Sequence, residues 1–64
     1  MRDSGTNFVG LKDGRAVAIA TRFTGPGADD ENAETLREYE ERGYEVQTHP
    51  RKVAVAMHLA ALSK

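Results

Sequence analysis

The sequence predicts a small α+β domain, ββαβα: a single-layer antiparallel sheet built from a β-hairpin and a third strand in the order 2-1-3, one connecting helix and a C-terminal helix. Three observations carry that reading. Asp13-Gly14 separates two apolar alternating runs, residues 29–43 form an acid-led segment ending in glycine, and alternation resumes at residues 44–48.

Residues 6–23 read as the hairpin. A two-residue Asp-Gly loop suits it, because the twist of the flanking strands needs positive φ at both turn positions. The turn sets an expected register in which Lys12 faces Arg15, Leu11 faces Ala16, Gly10 faces Val17, Val9 faces Ala18 and Phe8 faces Ile19. Phe8, Val17 and Ile19 then form the core face, with Gly10 leaving room beside Val17. Val9, Leu11, Ala16, Ala18 and Ala20 form a flatter second face that another layer or a partner can cover.

Thr24-Gly25-Pro26-Gly27-Ala28 breaks regular structure, and Asp29 or Asp30 is the expected cap of a helix over about residues 30–42. Acids in its first turn suit the positive end of the helix dipole, and Gly43 stands where a left-handed C-terminal cap belongs. The apolar stripe of this helix is thin, Ala33, Leu36 and Tyr39, which predicts a surface helix over one sheet face. Residues 44–48 form the third strand, closed by His49-Pro50. A strand-helix-strand crossover makes it parallel to the second strand, so it pairs with the first.

The segment after Pro50 reads two ways. Its residues are mostly good helix formers, Pro50 fits a first turn, and Thr48 or His49 can cap, which gives the C-terminal helix. Yet residues 53–59 echo residues 17–23, so a fourth strand (ββαββ) is the alternative. As a helix it is apolar on two faces, Val55, Leu59 and Leu62 on one and Val53, Met57 and Ala60 on the other. That excess is the sequence's strongest pointer to a partner.

The 64 residues bound one compact domain, with residues 1–5 and 63–64 expected to be flexible. A chain this short has a marginal core, and self-association is a common remedy. The absence of cysteine removes thiolate chemistry and disulfides, and suits a reducing, cytoplasmic location. Neither a signal peptide nor a membrane span is expected, since no run of about 18 apolar residues occurs.

The net charge of −1 conceals a division. Residues 29–45 hold eight acids and two bases, a local −6, and the remainder carries +5. A solvated helix face accounts for such a run, and so does an acidic surface that docks on a basic protein.

Catalysis and cofactors are not expected. Gly25-Pro26-Gly27 lacks the Lys-Ser/Thr ending of a phosphate loop and leads into acids that repel phosphate. His49 and His58 match no metal-ligand spacing, and Ser4 and Ser63 lie near the chain ends. The function expected is a non-enzymatic protein-binding module, a small inhibitor or adaptor of the kind phages and mobile elements encode. Its candidate binding residues are Glu34, Glu38, Glu41, Tyr39, Val53 and Met57, and its partner is a protein with a basic surface. Two alternatives stand beside it: a nucleic-acid contact through Lys12, Arg15, Arg22, Arg51 and Lys52, and a homodimeric structural or assembly protein.

Overall fold

The computed structural model describes residues 1–63. Its elements are β1 (Arg2–Lys12), β2 (Arg15–Thr24), α1 (Ala28–Glu41), β3 (Glu45–Pro50) and α2 (Arg51–Leu62). The sheet is three-stranded, β2-β1-β3, and antiparallel throughout, as the sequence predicts. Residues 51–62 are helical, which removes the ββαββ alternative. Residues 2–5, expected to be flexible, belong to β1; Lys64 lies outside the described residues.

The hairpin turn is of the expected mirror-image kind, with φ of 54° at Asp13 and 76° at Gly14. The expected pairs Lys12–Arg15 and Leu11–Ala16 form, but the register then shifts. Val17 is an extra residue in β2, so Gly10 faces Ala18, Val9 faces Ile19 and Phe8 faces Ala20. One inserted residue reverses which side chains share a face. The expected core set of Phe8, Val17 and Ile19 is therefore incorrect: Phe8 and Ile19 lie on opposite faces, and Val17 is exposed. A second irregularity falls between Asp3 and Thr6, where Gly5 takes a positive φ and its N–H donates to Asp3 Oδ1 at 2.8 Å.

Both sheet faces are covered. On the Val9 face, Val9, Ala16 and Ala54 form a buried cluster with Leu11, Ile19 and Met57 packed against it, so this face belongs to α2. On the Phe8 face, Gly10 lies under the rings of Tyr39 and Tyr44, and α1 crosses β2 and β3 there. The two rings meet edge-to-face, 5.6 Å between centroids at 68°. Burial, then the neighbouring Tyr44, push the Tyr39 phenol above its ordinary value, so it is neutral at physiological pH.

The helix ends explain their own positions. Gly27, in the left-handed conformation, is the N-cap of α1, and Ala28 N–H donates to Gly25 O at 3.0 Å. The helix thus starts before the expected Asp29 or Asp30 cap, and those acids fill its first turn instead. At the other end Gly43 N–H donates to Glu40 O and Tyr44 N–H to Tyr39 O, each at 3.0 Å, closing the glycine cap expected there. Asn32 Nδ2 donates to Phe23 O, and Phe23 N–H donates to Asn32 Oδ1, both at 2.9 Å. A side-chain amide of α1 thereby pairs with β2 as another strand would.

α2 follows β3 without a linker. Pro50 is the last residue of β3, paired with Thr6, and also the N-cap of α2, at φ −55° and ψ 148°. Neither expected side-chain cap, Thr48 or His49, forms.

Candidate protein-binding surface

The sheet-facing side of α2 combines alanines with Met57 and His58. Ala54 is fully buried and Met57, His58 and Ala61 are half-buried. His58 Nδ1 lies 2.7 Å from Ala16 O, beside the extra residue of β2; a carbonyl only accepts, so Nδ1 carries the proton. Arg51 Nε donates to Asn7 Oδ1 at 2.9 Å and Arg51 Nη2 to Asp3 Oδ1 at 2.6 Å, tying the start of α2 to β1. The Arg51 guanidinium, then the Gly5 N–H, hold the Asp3 carboxyl below its ordinary range. Arg15 Nη2 donates to Ala61 O at 2.8 Å, a cation on the last turn of α2.

The solvent side of α2 carries the larger apolar residues. Val55 is 38% exposed, Val53 43%, Leu59 59% and Leu62 65%, while Ala54 is at 0%. An exposed leucine on its own needs no explanation. Val55, Leu59 and Leu62 share one side of this 12-residue helix, about 120° round from buried Ala54, and form a stripe of the kind that marks interaction surfaces, while Val53 stands apart on the other flank. The helix carries no acid, and Arg51 and Lys52 are its only fully charged residues.

The structure distributes the expected binding residues over two opposite faces. Glu34, Glu38 and Glu41 are exposed on α1, and Glu38 meets Arg42 at 3.6 Å. Tyr39 is buried at 7% beneath the same helix, so it stabilises the Phe8 face and offers little to a partner. Val53 lies exposed on α2, whereas Met57 packs on the buried cluster. Acidic α1 and apolar α2 lie on opposite sides of the sheet, so no single flat partner surface meets both. Val55, Leu59 and Leu62, set aside as one of two faces by the sequence, are the more exposed apolar group; their i, i+4, i+7 spacing was the available signal.

The basic candidates do not converge. Lys12 and Arg15 stand at the hairpin tip, while Arg22 is seven residues further along β2, about 23 Å away in an extended strand. Arg15 and Arg51 make the intramolecular bonds above, leaving Lys12, Arg22 and Lys52 as separate exposed charges. The like-charge pair Lys12–Arg15 is relieved by Arg15 turning to the end of α2.

An open groove of about 290 Å³ lies between the hairpin tip and α2, lined by Leu11, Ala16, Met57, Ala60, Ala61, Gly14 and Arg15. Among the described residues, no three His, Asp or Glu side chains group as a metal site, and no helix is long and apolar enough to cross a membrane. Comparison with protein families, curated proteins and solved structures gave no match.

Proposed function

We propose that this chain is a non-enzymatic protein-binding module that docks through the outer face of α2. The supporting observation is the exposed stripe: Ala54 and Met57 face the sheet while Val55, Leu59 and Leu62 face solvent together. Ala54 lets α2 lie close on Val9 and Ala16 with Met57 packed beside it, and the leucines remain for a second surface. Amphipathic helices bind apolar surfaces through anchors at this spacing. Acidic α1, on the far side of the sheet, keeps that face solvated and repels non-specific contacts there. An inhibitor or adaptor role fits such a module, with a small rigid body presenting one helix.

The test compares tagged wild-type chain with Leu59→Asp and with Glu38→Ala/Glu41→Ala in cells of origin. Leu59→Asp is expected to abolish stoichiometric protein capture, and the α1 variant to retain it. Capture that survives Leu59→Asp but is lost in the α1 variant would move the function to the acidic face.

A further inference from the structure

We infer that the outer seam of α2 pairs with the same seam of a second copy of this chain, as an antiparallel helix pair about a two-fold axis; this rests on the protein-binding reading of that face. Lys52, Val55, Leu59 and Leu62 are spaced 3-4-3, the two-position repeat of a coiled-coil seam, in a stripe about 80° wide. The stripe lies about 120° round the helix from the buried line through Ala54. A stripe of this width suits one opposing helix, and Val53, about 100° from Lys52 on the other flank, lies outside it.

The spacing is also the same read in either direction. An isologous contact requires self-complementarity, and reversal about Met57 exchanges Val55 with Leu59 and Lys52 with Leu62. In the antiparallel pair each Leu59 meets the second copy's Val55. The Lys52 methylenes cover the second copy's Leu62 and leave the ammonium in solvent at the edge of the seam, since Arg15 already occupies the end of α2. A lysine on such a seam fixes register and orientation at some cost in stability. Ala56 on the flank of the seam permits close approach of the two axes.

Charge selects this face over the other. Residues 29–45 carry −6, and contact through α1 would bring two such segments together. Contact through α2 places them on the outer sides of the pair. α1 and α2 lie on opposite sides of the sheet, so the two acidic segments are separated by both molecules, well beyond the roughly 8 Å screening length at physiological salt. The seam lies on a helix of only 12 residues, about 18 Å long, and so falls short of the roughly 800 Å² per partner of a standard stable interface. The dimer is therefore weak and concentration-dependent.

Sedimentation equilibrium of the purified chain between about 10 μM and 1 mM tests it. The weight-average mass is expected to rise from 7.0 kDa toward twice that value, and Leu59→Asp and Lys52→Glu to weaken association about tenfold or more, with circular dichroism confirming the fold. Because the chain has no cysteine, Val55→Cys mixed with Leu59→Cys reports orientation, and the mixed disulfide should form faster than either homodisulfide. A monomer throughout the range overturns the inference, as does a dimer indifferent to both seam variants. If the chain is monomeric while Leu59→Asp still abolishes capture of another protein, the second copy is excluded and the binding reading stands. If Leu59→Asp changes neither, both fall.

Discussion

Gly10→Ala adds one methyl group where the molecule has no space for it. A Cβ built at Gly10 lies 2.8 Å from Tyr44 Cδ2 and 3.2 Å from Tyr39 Cδ2 and Cε2. These are ring-edge atoms of two side chains in edge-to-face contact, and Tyr39 is buried, so neither ring can retreat without disturbing the other. Gly10 also sits in the central strand, paired to Ala18 on one side and Val46 on the other, which prevents the backbone from yielding. Overpacking of this kind costs about 1–3 kcal/mol. At roughly 4–8 °C per kcal/mol for a domain of this size, the melting temperature should fall by about 5–20 °C. Thermal unfolding followed by circular dichroism measures it, with Gly10→Ala/Tyr44→Ala as the companion in which the closest clash is absent. The two substitutions should be non-additive in the favourable direction. A Gly10→Ala protein melting within about 2 °C of wild type would show that α1 and the Tyr44 turn do not press on the sheet as described.

Other expectations concern the remaining junctions. Asn32→Ala removes both bonds to Phe23 and should cost about 1–2 kcal/mol, with faster amide exchange at Phe23 than at Val9 as the local signature; unchanged exchange at Phe23 would contradict the strand-like pairing. Asp3 has a lowered folded-state pKa, so its pairing with Arg51 contributes fully above the unfolded value, near pH 4, and is lost as pH falls through the folded value. The difference in melting temperature between wild type and Asp3→Asn should therefore shrink from about pH 5 to pH 2, and a constant difference would place the effect elsewhere. Arg15→Ala should speed amide exchange in the last turn of α2, because its guanidinium bonds Ala61 O; unchanged exchange there would remove Arg15 from the helix end.

The elements legible in the sequence are those specified by local chemistry. Asp13-Gly14 forces its turn, Gly43 ends α1, and a crossover through α1 leaves β1 as the central strand. The face assignment was not legible, because it depends on one residue, Val17, that the ladder skips. Local alternation fits either register; packing favours the bulged one, which puts Val9 with Ile19 under α2 and leaves Gly10 free for the tyrosine rings. The excess apolar surface of α2 was legible, but its division was not. Burying Ala54 and Met57 while exposing Leu59 and Leu62 follows from how closely α2 approaches the sheet, a tertiary distance that periodicity does not encode. The sequence places Tyr39 both on the sheet-facing stripe of α1 and among the binding residues, and what decides between the two is a glycine 29 positions earlier.

Pro50 belongs at once to the last pair of β3 and to the cap of α2, so strand and helix form one rigid lever without a hinge between them. The angle at which Leu59 and Leu62 are offered is fixed when β3 pairs with β1, during folding and before any encounter. Under the proposed docking, little ordering cost remains for association, and a partner would be selected by fit to a preset surface. The same coupling runs backwards. A small rotation of β3 is magnified along roughly 18 Å of helix, so substitutions in an edge strand distant from Leu62 can change the direction in which that residue is presented.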